Sequence, residues 1–322
     1  MVIMSEKLTL TEIKKNDSRY DRYLKAPFLV YNSDAFIELN RYKVDEVLRI
    51  MISSGESPRF CLYIGVKNGL GRIPFSAPFF LPEVLKKHPT MDRFTEASML
   101  LVDYAKEKRI KKFEITLPPI FYNKEEVTGW TNAFFRAGFT VEVVDINYAI
   151  NLGVMNCDVY QQMISTNARR NLKIACNSNL LLSLCETDEE KKLAYSVIAE
   201  NRANKGYPLR MTLEQVMSTI QIVDSEMFLV WKDGQAVASA LVYHVSKDIV
   251  QVIYWGDKPG SGEYKPMNYL ANELIHWYGN KGFRYLDIGP ATENSVPNYG
   301  LCEFKESIGC ERDLKLTLIK EL

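Results

Sequence analysis

The chain has 322 residues, 47% of them hydrophobic and 25% charged, the make-up of a soluble globular protein large enough to bury its cores without disulfide staples. Domains cluster at roughly 100–200 residues, so two are expected. Lys plus Arg and Asp plus Glu both number 40 and the pI is near 6.8, which excludes a surface built as a whole to hold nucleic acid or an anionic membrane.

No stretch approaches the roughly 20 apolar residues of a spanning helix. Met1 to Lys15 has no long apolar run, so neither a signal peptide nor an anchor is expected there, and the cytoplasm is the expected location. The six cysteines, Cys61, Cys157, Cys176, Cys185, Cys302 and Cys310, form no CxxC pair and match no zinc spacing. They are expected to be free, mostly buried thiols, and no metal site is expected.

In chain order, the first half reads as a strand at Phe28–Asn32 and further strands around Val47–Ser53 and Phe60–Val66. An apolar, Pro-rich loop follows from Pro74 to Pro82, expected to be buried. Next come a helix at Met91–Lys108, a strand at Lys112–Leu117, a helix at Glu125–Ala137 and a strand at Thr140–Asn151. The second half opens on a helical turn bearing Arg169, Arg170 and Lys173, then a short buried-type strand, Leu180–Cys185. Thr187 with Glu190, and Thr212 with Gln215, are capping boxes, in which each side chain satisfies an orphan backbone donor. They start helices to about Asn204 and Val223. The strands Met227–Lys232 and Ala236–Val245 are joined by Asp233-Gly234, a strong hairpin signal. The strand Ile249–Gly256, a Gly-rich loop from Asp257 to Lys265 and a helix follow; Met267, Leu270, Leu274 and Tyr278 recur along that helix at steps of three and four. Then come the strand Arg284–Gly289, a helix at about Asn298–Ser307 and a last strand at about Asp313–Ile319.

The two halves look related. Leu101-Val102-Asp103-Tyr104 falls over Leu274-Ile275-His276-Trp277, and in the same register Glu114-Ile115 falls over Asp287-Ile288. Lys67-Asn68-Gly69 matches Lys232-Asp233-Gly234 as a hairpin. The order β-α-α-β-β-β-α-β-α-β of the second half resembles the GNAT acyltransferase plan, and two such units in one chain resemble the FemABX-like group. Local matches are Ala168-Arg169-Arg170-Asn171-Leu172-Lys173, Asn201 to Pro208, Leu286-Asp287-Ile288-Gly289 and the closing Leu301 to Gly309, which is similar to an L-x-x-F-K-x-x-x-G stretch of that group. The fold expected is therefore α/β with mixed sheets, in two tandem GNAT-like domains: residues 1–152, degenerate and forming an acceptor wall, and the fuller 153–322, with the donor cleft.

The resemblance implies an N-acyltransferase with an acyl-CoA cosubstrate and a small-molecule amine acceptor. Other members of the group use aminoacyl-tRNA to extend a cell-envelope precursor, and a scaffold that has lost its donor site is a third reading. The donor is expected between the strands 249–256 and 284–289, with a backbone amide near Tyr254 or Trp255 facing the developing oxyanion. Gly260, Gly262 and Lys265 are the candidate pyrophosphate contacts, although Asp257 stands where the GNAT pattern wants Arg or Gln. Lys305 is expected at the edge of a buried stripe, binding a donor phosphate or offsetting leaving-group charge, so that its loss lowers turnover with little loss of stability. Asp287 is a candidate base or orienting group, and Tyr299 or Tyr254 a candidate acid. Asn201, Arg202 and Tyr207 resemble the acceptor-side segment of the group. His244 and His276 are weaker candidates.

Overall fold

A computed structural model describes residues 6–15, 17–18, 26–86, 88–154 and 157–322; the Cys157 side chain lies outside that description. The elements run β1 (Leu8–Glu12), α1 (Asp34–Leu39), β2 (Glu46–Ser54), β3 (Ser57–Lys67), β4 (Leu70–Ile73), β5 (Glu83–Val84), α2 (Met91–Glu107), β6 (Lys112–Thr116), α3 (Lys124–Arg136) and β7 (Thr140–Asn151). There follow α4 (Cys157–Met163), α5 (Thr166–Cys176), β8 (Leu181–Leu184), α6 (Asp188–Lys205), α7 (Leu213–Thr219), β9 (Ser225–Lys232), β10 (Gln235–His244), β11 (Ile249–Asp257), α8 (Pro266–Asn280), β12 (Tyr285–Pro290), β13 (Thr292–Glu293), β14 (Val296–Pro297), α9 (Tyr299–Ser307) and β15 (Glu311–Glu321).

Both capping boxes form: the Thr187 hydroxyl accepts from Glu190 N, and the Thr212 hydroxyl from Gln215 N. Asp233 and Gly234 take φ of 48° and 76°, the left-handed pair that a tight hairpin between right-twisted strands demands. Phe28–Asn32 is not a strand. Its end is a 3-10 turn, Val30–Asn32, because the buried Glu83 carboxylate takes up Phe28 N and Asn32 N turns back to Leu29 O. Within Pro74–Pro82, Phe79, Phe80 and Leu81 are buried.

The chain divides into two compact units, Met1–Asp145 with Asp313–Leu322, and Ile146–Arg312. The division thus falls inside β7 rather than after residue 152, and most of β15 returns to the first unit. In the first unit the strand order is β1-β2-β3-β4-β6-β15, with β4 and β6 parallel and β15 antiparallel to β6 from Thr317↔Thr116 to Glu321↔Lys112. Its helices bury an aromatic cluster: Trp130 stacks on Phe134 at 5.2 Å and meets Phe60 and Phe94 edge-on, both at 5.1 Å.

In the second unit the order is β8-β9-β10-β11-β12, followed by the second half of β7. One face carries the core cluster, in which Val230, Ala240, Val250, Leu286 and Ile288 pack with Leu270, Leu274 and Tyr278 of α8. Each unit holds a parallel pair: Leu70↔Lys112, Gly71↔Phe113 and Arg72↔Glu114 in the first, Ile249↔Tyr285, Val250↔Leu286 and Gln251↔Asp287 in the second. The first pairing runs on to Ile73↔Ile115, whereas the second stops at Gln251↔Asp287. The hairpins do not correspond as aligned. Asn68-Gly69 leads into β4, the counterpart of β11, so its equivalent is the β10–β11 turn and not Asp233-Gly234.

Among the described residues no helix is long and apolar enough to cross a membrane. Cys61, Cys185 and Cys302 are buried free thiols, Cys310 is partly buried, and Cys176 is exposed.

Candidate functional site

The feature that organises the second unit is a parting of β11 from β12. Their parallel register stops at Gln251↔Asp287. Beyond it β11 stays with β10, from Tyr254↔Leu241 to Asp257↔Ala238, after a bulge that leaves Ile253 without a partner. β12 instead follows β7, shifting register between Asp287 and Gly289. Two local causes meet here. A bulge adds twist and bends its strand, and Gly289 takes φ of 73°, a conformation that a side chain resists.

Asp287 lies just before the parting and is fully buried. Leu286 and Ile288 belong to the core face, so strand alternation puts Asp287 on the other. Oδ1 accepts from Asn147 Nδ2 at 2.6 Å and Gly289 N at 2.8 Å; Oδ2 accepts from Gln251 Nε2 at 2.7 Å. A buried carboxylate is tolerable only with such donors. They suit Asp287 to hold the ends of β7, β11 and β12 in place. Asn147 escaped the reading of the sequence, and so did Gln251, a lone polar residue in an apolar strand, which was the available signal.

Lys305 is inside the protein, only 2% exposed. Its Nζ donates to Ile288 O and Gly289 O at 2.8 Å and to Pro290 O at 3.0 Å, and lies 5.5 Å from the centre of the Tyr148 ring. Its three hydrogens are thus committed to the carbonyls of the strand that turns away. Burial pushes its pKa down to about 8, opposed by the field of neighbours that include Asp287. In this position it does not reach a phosphate as a donor; it adds buried positive charge behind the parting.

Beyond the parting the two aromatic candidates diverge. Trp255 packs into the core and meets Phe304 of α9 at 5.9 Å. Tyr254 is buried, its hydroxyl accepts from Met211 N at 3.2 Å, and its ring lies 5.3 Å from the Arg202 guanidinium carbon. Arg202 also faces Tyr207, at 5.9 Å, and the Tyr207 hydroxyl accepts from Asn298 Nδ2 at 2.9 Å. Asn298 caps α9 as well, taking Leu301 N on Oδ1. Arg202, Tyr207 and Tyr254 are therefore one cluster, to which the structure adds Asn298. Tyr299, the next residue, is 79% exposed.

Asn201 has a packing role. Its Nδ2 donates to Asp257 O at 2.8 Å and Oδ1 at 2.9 Å, and a Cβ on Gly256 would lie 2.5 Å from Asn201 Cγ. The contact ties α6 to the end of β11. Lys205 adds an ion pair to Asp257 at 3.3 Å. The loop beyond binds mostly to itself: Ser261 N donates to Lys258 O, Tyr264 N to Ser261 O and Lys265 N to Gly262 O. Gly260 and Gly262 have open space at the Cβ position, and Lys265 precedes α8 in a left-handed conformation. Among the described residues no hydrogen bond or ion pair joins this loop to Arg202 or Lys305.

Elsewhere, His244 bridges Asp224 and Glu226 at 3.0 and 3.1 Å, and Lys281 pairs with Glu226 at 2.6 Å. Although burial would raise it, bonds from His244, Lys281 and Trp277 hold Glu226 down at about 2. Among the described residues no group of three or more His, Cys, Asp or Glu is placed to hold a metal.

No protein-family model and no curated protein matches the chain. Solved structures do. The chain is similar to FemX, with a TM-score of 0.71 at 12% identity over 97% of both chains. It is similar to the C-terminal domain of a putative lysylphosphatidylglycerol synthetase from Agrobacterium fabrum, with a TM-score of 0.59 at 11% identity over 93% of this chain and 89% of that one. It is also similar to a tandem GNAT protein from the clavulanic acid biosynthesis pathway, with a TM-score of 0.53 at 12% identity over 98% of both. The fold is the FemX-like tandem GNAT fold.

Proposed function

We propose that the protein is an N-acyltransferase that moves an acyl group from an acyl-CoA-type donor to an amine. The observation that carries this is the parting of β11 from β12 after Gln251 and Asp287. Two parallel strands that separate offer unpaired backbone on both walls of a slot, which suits an extended acyl donor. In this reading the amine nitrogen attacks the thioester carbon, a backbone amide at Tyr254 or Trp255 meets the oxyanion, and the C–S bond then breaks. Lys305 favours the negative charge that forms by its field, since its hydrogens are already donated. Asp287 orients the slot, the amine nitrogen releases its proton to solvent, Tyr299 gives one to the leaving thiolate and regains it from solvent, and Gly260, Gly262 and Lys265 flank the pyrophosphate. Asn201 positions Arg202, which with Tyr207 serves the acceptor.

One observation favours a second donor, aminoacyl-tRNA, with a cell-envelope precursor as acceptor. Asp257 puts a carboxylate at the head of the candidate phosphate loop, and Asn201 and Lys205 hold it there. Thermal-shift titration distinguishes the donors. Acetyl-CoA or longer acyl-CoA thioesters should raise the melting temperature by mass action. Absence of a rise with any thioester, together with salt-sensitive binding of charged tRNA, would replace the first donor by the second. If neither binds, the transferase reading fails.

A further inference from the structure

Each wall of the parting leads into an arm. On the β12 side the chain passes Pro290, donates Ala291 N to Ile146 O, takes Ile146 N on Thr292 Oγ1 at 2.8 Å and folds into the small hairpin β13–β14, with Thr292↔Pro297 and Glu293↔Val296. This hairpin is a two-stranded sheet of its own, apart from the main one. Asn294 and Ser295 at its turn take φ of 50° and 68°, the left-handed pair of a tight turn, and Asn298 N closes its base on Ala291 O. The base is thus pinned to β7, while Glu293 to Val296 are exposed.

On the β11 side the arm is the segment between α6 and α7, residues 206–212. Gly206 ends α6 with φ of 66°. Met211 fixes the far end: its N–H donates to the Tyr254 hydroxyl on β11 at 3.2 Å, and its carbonyl accepts from the Tyr195 hydroxyl on α6 at 2.9 Å.

The two arms meet. Arg210, next to Met211, pairs with Glu293 at 2.6 Å, and Asn298 Nδ2 donates to the Tyr207 hydroxyl at 2.9 Å. Each bond joins an arm rooted on β11 to one that continues β12, so walls that separate after Gln251 and Asp287 are tied again beyond the parting. The ties are of a weak kind. The Arg210 and Glu293 side chains are 71% and 64% exposed, and an ion pair in water gains little; the other tie is a neutral hydrogen bond. Contacts that break and re-form readily, between arms with fixed roots, suit a gate.

We propose that the hairpin β13–β14 and the 206–212 segment form a gate across one mouth of the slot, with Arg210–Glu293 as its latch. The latch breaks to admit a ligand and closes again over it, so the gate sets the rates of entry and exit rather than the affinity. That the ligand is an acyl donor rests on the acyl-transfer reading; the gate itself does not.

The full chain is compared with Arg210→Glu, Glu293→Arg and the double reversal. Amide exchange is followed first, without added ligand, in residues 252–255 of the slot wall and 292–297 of the hairpin. Both single reversals should exchange faster in these segments, and the double reversal should return to wild-type rates. Stopped-flow mixing with acetyl-CoA then reads passage through the gate. Association and dissociation should both quicken about two- to fivefold in each single reversal, the span of an exposed ion pair, with Kd unchanged, and slow again in the double reversal. The single reversals change the net charge in opposite senses, so a rise shared by both is not attraction of an anionic probe. Rates that move in opposite directions, single reversals that match the wild type, or a double reversal that restores nothing overturn the gate. Faster exchange that spreads to β9 and β10 also overturns it, as general loosening. If acetyl-CoA binds to none of these proteins, that counts against the acyl-CoA donor, and the exchange comparison alone decides the gate.

Discussion

Lys305 keeps a charge away from water and spends its hydrogens on Ile288, Gly289 and Pro290. Replacing it by Met leaves those carbonyls without a donor, at roughly 1–3 kcal/mol for a buried unsatisfied group, and should lower the urea midpoint. This revises the expectation of a cleft-facing lysine whose loss leaves stability intact. The sign of its pH dependence follows from the direction of the shift. The folded ammonium titrates at about 8, against 10.5 for the unfolded lysine. Between these values the unfolded chain binds more protons, so the contribution of this residue to stability rises with pH across that window, and below it the buried charge is a constant cost. Melting curves from pH 7 to pH 10 should show this rise in the wild type relative to Lys305→Met; parallel curves would refute it. If its charge serves turnover, the rate should fall as pH climbs through about 8. The residue was legible as an F-K pair within an amphipathic stripe. Its burial was not, because spacing along a helix does not tell what covers the helix edge.

Elements with local causes were the readable ones. A Thr three residues before a Glu or Gln closes hydrogen bonds within one turn, so both capping boxes stand where the sequence put them. Thr187→Ala should cost about 1 kcal/mol in urea unfolding. Phe28–Asn32 misled because its apolar run resembles a strand, while its backbone partner is a carboxylate 55 residues away. Gly256 is the corresponding case on β11. Its lack of a side chain admits Asn201, and Gly256→Ala should be destabilising by about 1–3 kcal/mol through overpacking, read by the same unfolding experiment. A melting temperature equal to that of the wild type would show that α6 yields freely.

At the scale of the whole molecule, each compact unit takes a strand from the other half of the sequence. The first unit holds Asp313–Leu322, and the second holds Ile146–Asn151 of β7. Ending the chain at Arg312 should strip β6 of one of its two neighbours and lower amide-exchange protection across β4 and β6, while β9 to β11 keep theirs. Uniform loss in both units, or none in the first, would contradict this. The expected division after residue 152 missed the exchange, since no short-range pattern states which sheet receives a strand.

By itself the sequence determined the order of helices and strands from β8 to β15 and from α2 to β7, with their caps and turns, and through them the tandem GNAT-like plan, because those signals act within a few residues. It also marked Arg202, Tyr207, Asp287 and Lys305 as residues of interest. Only the tertiary structure decided what each of them meets. Asp287 faces amides, Lys305 faces carbonyls, Asn201 packs against a glycine, and Arg202 lies near the rings of two tyrosines. Those partners come from β7, α6, β11 and α9, and charge compensation in a protein interior depends on distance in space, which residue spacing does not encode.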